Sequence, residues 1–257
     1  MNAPLHYDQI GPQVAVLTLN RPESRNAINA QITLEIEAAV EAIEADKNIR
    51  VGIITGAGGQ AFCAGADLKE VAAGGLPAMF TAGGFAGFTH AKRRKPWIAA
   101  VNGAALAGGC EIALSCDMIV ASSNAAFGLP EVCRGLIASA GGLYRLPRML
   151  PRKLAMEMIV TGRPIDAATA HHHGMVNRVV SPEQALKAAI DLAEEICANA
   201  PLAVLESLAI ARKAFDATDE WLFEQGSVAQ QQLQQTDDYH EGALAFVERR
   251  RPCWAGR

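Results

Sequence analysis

The chain alternates short β-branched runs with longer stretches whose apolar residues recur at helical spacing. "QVAVLTL" (13–19) and "VGIIT" (51–55) read as strands. Between them Ile32, Ile36, Val40 and Ile43 form one stripe of a helix opened by Asn29 as a candidate cap. "PWIAAVNG" (96–103), "GGCEIALSC" (108–116) and "DMIVAS" (117–122) repeat the order strand, helix, strand, which predicts a mainly parallel, helix-covered core. Residues 71–90, "VAAGGLPAMFTAGGFAGFTH", sustain neither period and are broken by glycines, so a mobile flap is expected there. From about residue 183 the text turns helical and stays so through "EGALAFVERRRPCWAGR". The expected division is a core over 1–195 and a helical appendage over 196–257 that packs against a neighbouring subunit.

Composition narrows the class. Half of the 257 residues are hydrophobic, 19% are charged and 5% aromatic, the balance of an ordinary α/β protein with enough chain for a substantial core. A net charge of −4 offers no cationic surplus, which argues against nucleic acid or an anionic membrane as the main partner. The six cysteines form no C-x-x-C pair and lie mostly in apolar stretches, as expected of reduced thiols in a cytoplasmic protein rather than of disulfides or a zinc site. The first residues, "MNAPLHYDQIG", lack the charged and apolar regions of an export signal, and no apolar run is long enough to span a bilayer.

The glycines raise a sharper question. Gly56, Gly58 and Ala61 satisfy G-x-G-x-x-G/A, yet a dinucleotide site needs a helix at the third position and an acidic residue about 20 positions later. Here the turn runs into "FCAGADLKE", and Asp67 and Glu70 come too early. A second small-residue stretch, "NGAALAGGCEIAL" (102–114), also follows a strand. Two such loops can aim backbone N–H groups at one point, with a helix dipole behind one of them, which is the arrangement of an oxyanion hole. The rival reading is that these glycines only permit close packing. Two acids bear on the choice. Glu111 falls in the first turn of an apolar helix, and Glu131 sits in "AAFGLPEVCRG", where Pro130 and its apolar neighbours suggest burial. Burial alters the proton affinity of a carboxylate. Structural roles compete: Glu111 as a helix N-terminal charge, Glu131 as an ion-pair partner of Arg134 or Arg145.

Taken together, "LNRPESRNAI" (19–28), "AFCAGADLKE" (61–70), "VNGAALAGGCEIALSCD" (101–117), "AFGLPEVCRGL" (126–136), "AGGLYRLPR" (140–148), "TGRPIDAATAHHHGMVNRVV" (161–180) and "AFVERR" (245–250) resemble the crotonase family, also called the enoyl-CoA hydratase/isomerase family. The resemblance implies an α/β fold built as a spiral of ββα units with a C-terminal helical trimerisation region, in trimers or dimers of trimers. It implies that Ala66 and Gly108 supply the oxyanion-hole N–H groups and that Glu111 and Glu131 handle protons and water. Arg25 then meets coenzyme A phosphates, the backbone at Ala64 and Leu68 meets adenine, and Phe246 with Arg249 reaches the coenzyme of an adjacent subunit. The implied reaction is reversible hydration of a 2-enoyl-CoA, with coenzyme A as part of the substrate and no separate cofactor or metal. Consecutive His171, His172 and His173 point apart on a helix and do not converge on an ion. A carnitinyl-CoA-like dehydratase, an enoyl-CoA isomerase and a non-catalytic acyl-CoA- or RNA-binding member are the alternatives. Where many hydratases have proline and glycine after the second glutamate, this chain has Ala138 and Ser139. That departure leaves the acyl specificity open, and the likeness of "GGFAGFTH" and of the tail "LAFVERRRPCWAGR" to the carnitinyl-CoA dehydratase branch implies a functionalised acyl group.

Overall fold

Two strands buried along nearly their whole length organise the molecule. In the computed structural model, which describes residues 3–257, β1 (Leu5–Ile10), β2 (Val14–Leu19), α1 (Ala30–Ala45) and β3 (Val51–Gly56) open the chain. β2 and β3 pair in parallel, and β1 adds an antiparallel edge. The predicted cap forms: the Asn29 side chain accepts from the Ile32 N–H at 3.0 Å, and Ile32, Ile36, Val40 and Ile43 are buried.

The chain then winds between two sheets. β3 is followed by β4 (Ala61–Cys63) and α2 (Leu68–Ala72). After a small hairpin, β5 (Phe80–Thr81) with β6 (Gly84–Phe85), come β7 (Trp97–Val101), β8 (Ala104–Leu106) and α3 (Gly108–Ser115). β9 (Met118–Ser122) leads to β10 (Ala126–Gly128), a 3-10 turn over Pro130–Arg134, α4 (Gly142–Met149) and α5 (Arg152–Thr161). β11 (Ile165–Asp166), α6 (Ala167–His172), β12 (Arg178–Val180) and α7 (Ala185–Cys197) complete the sheets and their cover. The six-stranded sheet runs β1-β2-β3-β7-β9-β12 and the four-stranded one β11-β10-β8-β4. The pairs β3/β4, β7/β8 and β9/β10 thus each place their first strand in the large sheet and their second in the small one. This is the expected ββα spiral. Hydrophobic period alone foresees one sheet, because β4, β8 and β10 are only three residues each.

Residues 71–90 depart from the expectation of a free flap. Met79, Phe85, Ala86 and Phe88 are buried in the main core, and Phe88 stacks edge-on against Trp97. Glycine permits that fit: Gly87 lies at φ +63°, where a Cβ would strike α1 at Glu37.

α7 closes the large sheet by burying Ala185, Ala189 and Ala193 over β3, β7 and β9. Beyond it, α8 (Pro201–Ala211), α9 (Asp219–Leu233) and α10 (Asp237–Glu248) bury little, and Phe223 and Val247 remain 76% and 77% exposed. No helix is long and apolar enough to cross a membrane, among the described residues.

A polar clamp ties these helices to the sheet. Arg212 donates to both Asp117 carboxylate oxygens at 2.7 and 2.6 Å, and Asp117 also accepts the Trp97 N–H at 2.8 Å. Asp117→Ala leaves the Trp97 N–H and the Arg212 Nε–H without these acceptors, while Arg212 keeps the carbonyls of Arg93 and Lys95. It is expected to cost about 2 kcal/mol, seen as a fall of roughly 4–8 °C in thermal midpoint.

Candidate active site

The glycine turn after β3 serves backbone packing. A Cβ on Gly56 would lie 2.4 Å from the Phe62 carbonyl oxygen and 2.7 Å from Nδ2 of Asn26. Buried Asn26 donates to the carbonyls of Ala57 and Ala61 and accepts the Arg21 N–H, so it fastens residues 21–27 to this turn. The chain continues into β4 and not into a helix, which removes the dinucleotide reading. Arg21 adds an ion pair to Asp67 at 3.0 Å, and the Arg25 carbonyl accepts the Ala64 N–H at 3.0 Å.

The same fastening frees one main-chain donor. Ile28 forms a parallel bridge opposite Ala66, with the Ile28 N–H donating to Gly65 and the Asp67 N–H to Ile28. Both bonds belong to the neighbours of Ala66, so its own N–H faces the other way. The second donor stands at the start of α3. Gly108 carries a first-turn N–H that a helix cannot satisfy, and Ala107, as N-cap, adds no side-chain bond. Neither N–H donates to a protein acceptor among the described residues.

The two loops are in contact. Gly65, at φ +90°, has Gly108 N 3.0 Å from where its Cβ would stand, and a Cβ on Gly109 would lie 2.1 Å from the Cys63 carbonyl oxygen. Ala107 adopts φ 51°, ψ −128°, a conformation costly for a side-chain-bearing residue, and its N–H is held by the Gly128 carbonyl at 2.9 Å. This kink turns β8 into α3 and sets the direction of the Gly108 N–H.

Both acids are buried beside these donors. Glu111 is 3% exposed, and its Oε1 accepts the Gly142 N–H, the first of α4, at 2.9 Å. Desolvation lifts its carboxyl to about 7, and the nearby Glu131 charge adds to the rise while the Gly142 N–H opposes it. Glu131 is 8% exposed, and burial raises it as well. Its Oε2 is buried and has no hydrogen-bond partner. No ion pair joins Glu131 to Arg134 or Arg145 among the described residues. Arg134 donates to the Pro130 carbonyl at 3.3 Å, and Arg145 to the carbonyls of Ala140 and Thr89 at 3.1 and 2.7 Å.

One cavity of about 690 Å³ collects Ala66, Gly108, Glu111 and Glu131 with Arg25, Ala64 and Leu68. Phe246 and Arg249 do not line it. They stand at the end of α10, where Phe246 is 86% exposed. Sequence reasoning missed Leu76, Phe80 and Phe85, which enter the cavity wall from the hairpin region. Their signal was available in the spaced aromatic residues of 71–90. It also missed Ala107, whose conformation nothing in the local text discloses. Ser139 lines the cavity while Ala138 turns inward against Gly142. Among the described residues no group of three His, Cys, Asp or Glu is placed to hold a metal ion.

Comparison with known proteins identifies the family. Residues 9–257 match the family described as Enoyl-CoA hydratase/isomerase. The chain is 42% identical to a carnitinyl-CoA dehydratase of Proteus mirabilis, with each chain covered completely. It is 40% identical to a mevalonyl-coenzyme A hydratase of Aspergillus fumigatus, over 95% of this chain and 92% of that one. The crystal structure of an enoyl-CoA hydratase from Mycobacterium tuberculosis superposes with a TM-score of 0.94 at 42% identity, covering 99% of both chains. These relatives add or remove water on acyl-CoA thioesters, and the chain belongs to their family, the crotonase or enoyl-CoA hydratase/isomerase family.

Proposed function

We propose that the protein is an enoyl-CoA hydratase, adding water reversibly to the 2,3 double bond of a 2-enoyl-CoA. The observation that carries this reading is the pair of buried acids, one with an unpartnered oxygen, sharing a cavity with two unused main-chain N–H groups. The thioester oxygen lies between the N–H groups of Ala66 and Gly108. Water oxygen bonds to C3, the π electrons move toward C1, and the thioester oxygen takes up enolate charge. Glu111 accepts the proton that water loses, and Glu131 gives a proton to C2. Return of the first proton to Glu131 restores the site, and one water has been added in all. Each N–H is worth roughly 2.7–4 kcal/mol to such an enolate. Two acids support hydration over isomerisation, which needs only one to carry a proton between carbons.

Coenzyme A enters as part of the substrate and no further cofactor is required, because the chemistry above uses only this chain's donors and acids. Arg25, whose side chain forms no ion pair among the described residues, takes a phosphate, and the backbone at Ala64 and Leu68 takes adenine. The exposed apolar side chains of α9 and α10 support a trimer or dimer of trimers, with residues 196–257 as the assembling region and Phe246 and Arg249 delivered to a neighbour's coenzyme. A cytoplasmic location fits such a substrate.

Adding the protein to crotonyl-CoA is expected to bleach the enone absorbance. Glu111→Gln and Glu131→Gln should each lower kcat by about 10² to 10⁴ with the circular dichroism spectrum unchanged. Wild-type turnover in both would overturn the two-acid mechanism.

The pH profile follows from the same groups. Glu111 must be ionised to accept a proton, so kcat/KM should fall as pH drops below about 7. Glu131 must hold its proton to give it to C2, so kcat/KM should fall again at alkaline pH, and Glu131→Gln should remove that alkaline limb from the residual activity while leaving the acidic one in place.

Stability should respond in the opposite sense. A carboxyl whose proton is held more tightly when folded weakens the fold as pH rises from its unfolded value toward about 7. Glu111→Gln, which keeps the Gly142 contact, is expected to exceed wild type by roughly 1–3 kcal/mol at pH 8, read by chemical denaturation.

A further inference from the structure

One cation stands at the acid end of the cavity. Arg134 lines the same cavity as Glu111 and Glu131, three residues after the latter, on the outward side of the 3-10 turn. Its single hydrogen bond, to the Pro130 carbonyl at 3.3 Å, fixes one nitrogen of the guanidinium. It forms no ion pair among the described residues. The remaining N–H groups of its planar fork are therefore unspent.

The charges elsewhere in the cavity are arranged differently. Arg21 is committed to Asp67, and Arg25 and Lys69 stand with them on the segments 21–27 and 64–69, the side assigned above to coenzyme A. At the opposite end the only other ionisable groups are the two reacting acids. Arg134 and Glu131 belong to one 3-10 turn and line the same cavity, so the guanidinium stands on the Glu131 side of the wall. Leu136 and Ile137 flank it with apolar surface, Ile137 being 65% exposed. A short hydrocarbon arm laid over that surface would bring a terminal group to the guanidinium.

We infer that Arg134 selects an acyl group carrying a carboxylate at its far end, a dicarboxylic acid mono-thioester of coenzyme A, and disfavours one ending in a quaternary ammonium. The assignment rests on the hydratase reading for the direction in which the substrate lies. A carboxylate matches the guanidinium fork with two parallel hydrogen bonds, whereas a trimethylammonium group has no donor or acceptor to offer and repels the charge. The selection thus differs from what the carnitinyl-CoA relatives' name denotes, at the cation that shares the 130–139 segment of the wall with Glu131.

The test separates binding from chemistry. Three saturated thioesters of matched length, glutaryl-CoA, hexanoyl-CoA and γ-butyrobetainyl-CoA, end in a negative, neutral and positive group, and their affinities for the full-length protein are read by calorimetry. Glutaryl-CoA is expected to bind on the order of tenfold more tightly than γ-butyrobetainyl-CoA, with hexanoyl-CoA between them. Arg134→Leu should bring that ratio close to one, and Arg134→Lys should keep part of it, having the charge without the fork. In turnover, the corresponding enoyl esters should show the same order, mainly in KM. Equal or tighter binding of γ-butyrobetainyl-CoA by the wild type would overturn the inference, as would an unchanged ratio in Arg134→Leu. Failure of the hydratase reading looks different: charge preference persists in the calorimeter while none of the enoyl esters gains water.

Discussion

The close approach of two backbones governs the site. The loop after β4 and the first turn of α3 touch where Gly65 and Gly109 stand, and a single methyl at either position would collide with the facing main chain. Everything the cavity offers to a thioester depends on that contact. It sets the separation of the Ala66 and Gly108 N–H groups, it places Glu111 one turn further along the same helix, and it requires β4 and β8 to lie side by side in the small sheet. Like Gly56 of the nucleotide-like motif, these glycines let polypeptide approach polypeptide. The close packing is what the structure shows, and the proposed oxyanion hole would use that same arrangement.

Around this contact, Asn26 spends its amide on three main-chain partners, and Arg145 holds the 140–142 loop that delivers the Gly142 N–H to Glu111. Three buried side-chain atoms lack a partner among the described residues, Arg93 Nη1, Asn102 Oδ1 and Glu131 Oε2, and of these only Glu131 lines the cavity. An unpaired buried carboxyl oxygen carries a desolvation cost that the fold does not recover internally. The strained backbone at Ala107 is a second cost in the same place, of order 1–3 kcal/mol. Both fall within the cavity wall and not in the remote core.

Much of this was legible in the sequence, for identifiable reasons. The Asn29 cap and the Ile32, Ile36, Val40 and Ile43 stripe are local signals, and the structure places them as read. The buried strands β2, β3 and β7 are apolar enough to be seen without partners. The three-residue strands are not, because their identity lies in cross-sheet pairing that a short window cannot contain. The site residues Ala66 and Gly108 came from resemblance; spacing alone left packing and function equally open. The error over residues 71–90 came from treating glycine as a sign of freedom, when Gly87 is there so that a tight loop can sit against α1. Arg134 illustrates the reverse limit. It was weighed as a partner for Glu131, and only its engagement with Pro130 reveals a cation with unspent donors facing the cavity.

Because the proposed oxyanion donors are main-chain amides held in place by steric contact, they have no protonation state to lose. The carboxyls beside them do. Polarisation of the thioester and movement of protons are thereby assigned to groups of different kinds, one indifferent to acidity and the other tuned to it. A change in the medium can then silence proton transfer while the grip on the carbonyl oxygen persists, leaving a protein that still holds its acyl thioester when it no longer turns it over.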